Sequence, residues 1–306
     1  MQRVKNTDRD RALQRQGTLC VFLAAVLYST GGLCIKLIPW NGMSINGGRN
    51  IVAALVVGSY LLITHHKLRI NKWILLGAVS VCGTNVFFTV ANKMTTAANA
   101  IVLQFTAPIF VILFTAFFMK RKLQKLDLAA CALVLVGIVC FFVDSLDTGG
   151  MTGNILALIS GLCYAGVFCL NDLPDADPLS SVFLGELMSI VLGLPFLVQE
   201  TVWTATALTS LIVMGALQVG LAYILMCHGL KTTPAVTASL ISGIEPVLNP
   251  TLVAVFYHET ISLLALAGAA VVIVSVVGYN VLRARQQAAA QPGLQADTEK
   301  FRSSAP

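Results

Sequence analysis

One carboxylate is set apart by its surroundings. Glu245 lies within Ala235-Val-Thr-Ala-Ser-Leu-Ile-Ser-Gly-Ile-Glu-Pro-Val-Leu-Asn-Pro250, and no other acidic residue sits so deep in such an apolar run. At mid-membrane depth a carboxylate facing lipid costs about 3 kcal/mol or more, so it must face protein or a wet cavity. On a helix, Ala238, Ser242, Glu245 and Asn249 follow at steps of four, three and four and share one face. Pro246 and Pro250 remove backbone donors and loosen the helix beside it. The chemistry such a group can do is reversible binding of a proton, a cation or the amine of a substrate.

Neutral hydrogen-bonding side chains gather in other apolar runs. Asn85, Phe88, Thr89 and Asn92 share a helical face, Gln104 follows in the next run, and Gln218, Tyr223 and His228 occupy a later one. Tyr28 and Tyr164 stand in matching places of two further runs. The candidate substrate-binding set is therefore Tyr28, Asn85, Thr89, Asn92, Gln104, Tyr164, Gln218, Tyr223, Ser242 and Glu245. Glu245 and His228 are the candidates for ion coupling, since imidazole exchanges protons near neutral pH; a structural role suits His228 as well. Arg49 and Glu186 hold nearly equivalent places in two runs and read as gates or anchors.

Catalysis is a poorer fit. A membrane-embedded enzyme needs His, Asp or Cys clustered at metal or nucleophile spacing, and His65, His66, His228 and His258 are scattered. The eight cysteines all fall in apolar runs without CxxC spacing, which suits small core residues rather than a metal site or a disulfide framework. No phosphate-binding loop is present, and no cofactor is expected. A membrane sensor or scaffold that transports nothing is the other alternative.

The elements that must position these residues follow from composition. Of 306 residues, 57% are apolar and 11% charged, far from an average globular domain. Ten apolar runs, each near the ~20 residues a bilayer requires, cover about 17–37, 44–64, 72–92, 98–119, 126–145, 152–171, 178–199, 206–230, 235–257 and 262–283. This predicts an all-α polytopic membrane protein. Residues 1–16 read as a cytoplasmic tail, 17–145 and 152–283 as two five-helix units, and 284–306 as a disordered cytoplasmic tail. The formal charge of +6 lies mainly in Lys/Arg clusters that border the spans on one and the same side, with only Lys36, Arg49 and Lys93 near the other. Such clusters anchor topology, place both termini in the cytoplasm and argue against nucleic acid as a partner.

The two units repeat one another. A constant shift of 138 positions carries Pro108 onto Pro246, Gln104 onto Ser242, Lys93 onto Lys231, Thr95 onto Thr233 and Gly77 onto Gly215. Helix one pairs with helix six at a shift of 136, Gly17 falling on Gly153 and Tyr28 on Tyr164. Five spans per unit insert the second upside down relative to the first, giving inverted repeats about an axis in the membrane plane, an arrangement suited to alternating access.

With these residues in place, the chain resembles the EamA family of the drug/metabolite transporter superfamily. The likeness is carried by Leu27-Tyr-Ser-Thr-Gly-Gly-Leu33, by Ala91-Asn-Lys-Met-Thr-Thr-Ala-Ala-Asn-Ala-Ile-Val-Leu-Gln-Phe-Thr-Ala-Pro108, and by Ile244-Glu-Pro-Val-Leu-Asn-Pro250 followed by His258-Glu259. It covers about residues 17 to 283. The resemblance implies a central cavity lined by helices one, three, four, six, eight and nine, with helices five and ten peripheral. It implies secondary transport across the inner membrane of a small polar metabolite, amino acids and amines among the candidates for export, with a coupling proton or cation. The expected partners are that substrate and membrane lipid, in a monomer or homodimer. Relatives often end helices four and nine with Gly-Glu; here helix nine ends His258-Glu259 and helix four Lys120-Arg121, so the first-half glutamate is absent.

Overall fold

The computed structural model describes residues 2–95, 97–118, 120, 124–142, 150–257 and 263–289. Over these residues the chain is all helical. The first half comprises α1 (Gln2–Tyr28), α2 (Gly31–Leu37), α3 (Gly42–Ile63), α4 (Lys72–Met94), α5 (Ala97–Gln104), α6 (Ala107–Phe117) and α7 (Lys125–Phe142). The second comprises α8 (Met151–Phe168), α9 (Pro178–Leu197), α10 (Ala205–Val213), α11 (Ala222–Leu230), α12 (Ala235–Ile241), α13 (Glu245–Tyr257) and α14 (Leu263–Ala289). A π-helical segment, Met214–Leu221, joins α10 to α11, and 3-10 turns occupy Leu170–Asp172 and Ser242–Ile244.

Each apolar run of the sequence is mainly helical over its described residues, with breaks at residues 29–30 and 105–106. Among the described residues six stretches are long and apolar enough to cross a membrane: Gly42–Ile63, Lys72–Met94, Ala100–Phe117, Met151–Phe168, Pro178–Leu197 and Ala205–Leu230. Ala12–Tyr28 and Ala270–Leu282 are shorter apolar helices. Local chemistry fixes several starts. Asn41 caps α3 by accepting from the Ser44 N–H, Asn71 caps α4 by accepting from Trp73 and Ile74, and Thr204 caps α10 by accepting from Ala207.

The two ends differ from the expected tails. Helix α1 already begins at Gln2, and α14 continues to Ala289. Residues 2–16 contain neither glycine nor proline, and Arg-Ala-Arg-Gln-Gln-Ala-Ala after Leu282 is built from good helix formers, so neither segment has a reason to break. His258, Glu259 and Arg121 lie outside the described residues, as do 290–306.

Polarity is arranged inside out relative to a soluble protein. Leu55, Leu62, Val191, Val274 and Val277 are exposed, whereas Arg49, Asn50, Asn85, Glu186 and Glu245 are buried. An apolar exterior around a polar centre fits a lipid surround. The chain is a membrane protein.

Glycines permit the closest helix contacts. At the crossing of α3 and α9, a Cβ on Gly47 would come within 2.8 Å of the Gly193 backbone. Gly17 of α1 lies against Thr233, and Gly153 of α8 against Thr95; these two contacts are images of one another under the sequence repeat. The whole packing scheme has the same property. Helix α3 packs on α9 and α7 on α14, while the pairing of α4 with α8 is matched by that of α11 with α1, and that of α6 with α12 by that of α13 with α5. Exchanging the two halves maps these pairings onto themselves.

Helices α3 and α9 are antiparallel. The capping residue of α3, Asn41, meets Glu200 beyond the end of α9 at 3.1 Å, with Trp40 edge-on to Trp203. At the other end His66, beyond the end of α3, meets Asp177, the capping residue of α9, at 2.8 Å. Helices α7 and α14 are antiparallel too, since Tyr279 near the end of α14 donates to Asp127 at the start of α7 at 2.9 Å.

Candidate functional site

Both halves contain a broken helix at the same place in the repeat. Pro108 and Pro246 have no N–H, so the helical bonds to the carbonyls of Gln104 and Ser242 cannot form. Helix α5 accordingly ends at Gln104 and α6 restarts at Ala107; α12 passes through the turn Ser242–Ile244 and α13 restarts at Glu245. Glu245 is thereby the first residue of a new helix, where the positive end of the backbone dipole favours negative charge.

Around these breaks lies a cavity of about 30 Å³, room for one or two waters. Its lining comes from both halves. Tyr28 closes the end of α1, Arg49 comes from α3, Thr84, Asn85 and Phe88 from α4, and Gln104 from the end of α5. From the second half come Tyr164 of α8, Gln218 and Val219 of the π segment, Tyr223 of α11, and Glu245. Glu245 is 7% exposed, and the Tyr164 hydroxyl donates to its Oε2 at 3.3 Å. Tyr28 stands edge-on to both Tyr164 and Tyr223, with centroids 6.2 and 5.6 Å apart, and its own hydroxyl has no partner. The Gln104 amide donates to Ser160 at 2.8 Å, and Ser160 in turn to the Thr84 carbonyl at 3.3 Å.

Arg49 is the cation of this site. It is 1% exposed, and its guanidinium donates to the Asn85 carbonyl at 3.1 Å, to Asn85 Oδ1 at 3.4 Å and to Gln218 Oε1 at 3.5 Å. The Nε–H has no partner. Asn85 is held in turn by Asn50, and Asn50 by Asn46, a polar ladder along α3. The π segment brings Gln218 to this group: the extra residue in its wide turn re-aims the helix face, as such bulges do at functional sites. Gly31 and Gly32, just past the end of α1, leave room for two amides. A Cβ on either would collide with Gln218 or Asn249.

Seven of the ten expected substrate-binding residues line the cavity: Tyr28, Asn85, Gln104, Tyr164, Gln218, Tyr223 and Glu245. Three do not. Thr89 turns back to the Asn85 carbonyl and Asn92 to that of Phe88, each on its own helix. Ser242 is buried near the Tyr164 phenol without a formed hydrogen bond. His228 is also elsewhere: one ring nitrogen faces the Ile224 carbonyl at 2.9 Å and the other the Tyr60 hydroxyl at 3.1 Å, a structural arrangement.

Arg49, expected as a gate or anchor, is buried and lines the cavity. The cap at Asn41 starts α3 early enough to put Arg49 two turns inside the helix. The signal was the stripe Asn46, Arg49 and Asn50, at steps of three and one on one helical face. The second span, α3, thus joins the expected lining helices, while no described residue of α7 or α14 lines the cavity.

The model of the EamA-like transporter family matches this chain twice, over residues 15–143 and 151–281, once per half. The chain is similar to an "Uncharacterized transporter" of Clostridium kluyveri, 22% identical over 87% of this chain and 94% of that protein. It is also similar to the "Uncharacterized transporter YwfM" of Bacillus subtilis, 26% identical over 78% and 85%. An "Uncharacterized transporter" of Archaeoglobus fulgidus is 26% identical over 86% and 96%. A solved crystal structure shares the fold with a TM-score of 0.75 at 18% identity, covering 88% of this chain and 98% of that one. With both of its halves matched, the chain belongs to the EamA-like transporter family.

Proposed function

We propose that this protein is a secondary active transporter that moves a small polar metabolite, an amino acid or an amine, across the inner membrane by alternating access. The observation that carries the reading is Glu245 facing a cavity built jointly by the two halves, at the point where their repeat-related helices break. Discontinuous helices whose ends point into a central site are how such carriers bind substrate and ion. Glu245 is the ion-coupling carboxyl or the partner of a substrate amine; Asn85, Gln104, Gln218, Tyr28, Tyr164 and Tyr223 supply neutral contacts.

Ten spans in two inverted five-helix repeats complete the proposal. The antiparallel course of α3 and α9, which are repeat equivalents, supports inversion, as does that of α7 and α14. The Lys/Arg bias supports cytoplasmic termini. A cavity of about 30 Å³ is too small for a metabolite, so the halves must part on one side to admit it.

The test is flux into proteoliposomes across a panel of amino acids, amines, sugars and nucleotides, with and without a pH gradient. Saturable flux of at least one amino acid or amine is expected, with Glu245→Gln abolishing either transport or its pH dependence. Absence of flux for every class, or wild-type flux and pH dependence in Glu245→Gln, overturns the proposal.

A further inference from the structure

Glu186, read from the sequence as a gate or anchor and absent from the cavity lining, is a buried carboxyl in the middle of the protein. It is 0% exposed on α9, and neither of its oxygens has a hydrogen-bond partner. The helices around it are tightly closed. A Cβ on the adjacent Gly185 would strike the Ala78 carbonyl and Val81 of α4, and Gly193 abuts Gly47 of α3. A charged carboxylate in such a place has nothing to compensate it, which is among the most costly arrangements a protein can hold.

The groups that face it come from several elements. Helix α11 contributes Tyr223 and Cys227, both within electrostatic reach of Glu186. Asp177, the capping residue of α9, acts with Glu186 on the same Cys227. Helix α3 contributes Arg49, which acts on the same Tyr223. Arg49 has no carboxylate within ion-pair distance; between described residues the one ion pair is His66 with Asp177. Two buried groups of opposite charge, on packed and repeat-related helices, thus share a tyrosine neighbour and stay unpaired.

We infer that Glu186 is a second proton-binding site, separate from Glu245, and that its charge governs Arg49. With the proton on the Glu186 carboxyl, Arg49 is left to the cavity, its Nε–H available to an anionic group of the cargo. When the proton leaves for water at the Asp177–His66 end, the carboxylate draws the guanidinium towards α9. One O–H bond breaks and the proton passes to water; no other covalent bond changes. The role in a transport cycle rests on the proposed function, whereas the proton site itself does not.

The experiment is infrared difference spectroscopy of the purified full-length protein during a pH titration, reading the carbonyl stretch of a carboxylic acid that makes no hydrogen bond. The expected result is a titrating band that persists in Glu245→Gln, disappears in Glu186→Gln and shifts its midpoint in Arg49→Gln. Glu186→Asp, which keeps an acid at the site, should retain a displaced band and guards against loss of folding in Glu186→Gln. A pH-dependent spectrum in Glu186→Gln identical to that of the wild type overturns the site, and an unmoved midpoint in Arg49→Gln overturns its link to Arg49. In proteoliposomes Glu186→Gln should lose part of the pH dependence of flux; an unchanged profile removes its place in the cycle. Flux absent from the wild type itself defeats the transporter reading, and the infrared titration then still decides the proton site.

Discussion

Tyr28 and Tyr164 are repeat equivalents, both buried but differently bonded, so the same substitution should have unequal consequences. Tyr164 donates to Glu245, and Tyr164→Phe leaves that oxygen without its donor at a cost of about 1–2 kcal/mol. A thermal melt of the solubilised protein should show a drop of a few degrees. Tyr28 has no partner for its hydroxyl, and Tyr28→Phe should move the same melt by less than about 0.5 kcal/mol equivalent. An equal loss in both would mean that the Tyr164–Glu245 bond contributes nothing. The sequence exposed this tyrosine pair, and it exposed Glu245, because a lone acid in an apolar run has few permissible surroundings. It did not show which way Thr89 and Asn92 turn. A hydroxyl or amide on a buried helix can satisfy itself on the preceding carbonyl, and periodicity says nothing of that choice.

At the scale of elements, the proline breaks and the glycine crossings carry the argument. Replacing Pro246 by alanine restores a backbone donor in the middle of a helical run and removes the reason for α13 to begin at Glu245. Pro246→Ala should therefore raise or preserve melting temperature while lowering transport several-fold, measured as flux per reconstituted protein; unchanged flux would show that the break is incidental. At the α3–α9 crossing, Gly193→Val drives two methyl groups into the Gly47 backbone, and overpacking of this kind costs about 1–3 kcal/mol or more. It should abolish the folded fraction seen by size-exclusion chromatography, whereas Gly278→Ala, with nothing within 4 Å of its added carbon, should behave as the wild type. Run boundaries and the repeat were legible in the sequence because apolar length and prolines are written residue by residue. The π segment was not, since Met214–Leu221 has the composition of any apolar helix, and its wide turn answers to the packing of Gly215 and Gly220 on α3.

The molecule as a whole is two interlocked halves, tied at each end of the α3–α9 pair. One tie is sensitive to acid. Burial alone would push the Asp177 carboxyl up, but hydrogen bonds from Ser180 and His66, together with the charge of His66, outweigh it and hold it below the ordinary aspartate range. A carboxyl with a lowered folded-state value adds stability that is complete above its unfolded value of about 3.9 and is lost as pH falls through the lower folded one. Asp177→Asn should accordingly lower the melting temperature at neutral pH and flatten its decline below about pH 4; parallel curves for both proteins would deny the tie. The opposite end, held by Trp40, Trp203, Asn41 and Glu200, has no comparable dependence on His66.

Alternating exposure of the Glu245 position is the most direct test of the whole account, and it needs no knowledge of the substrate. Glu245→Cys in sealed, oriented vesicles is treated with a membrane-impermeant maleimide from one side or the other, with modification at position 245 read by mass spectrometry. The account predicts labelling from both sides. Labelling from one side only, or from neither, would contradict it.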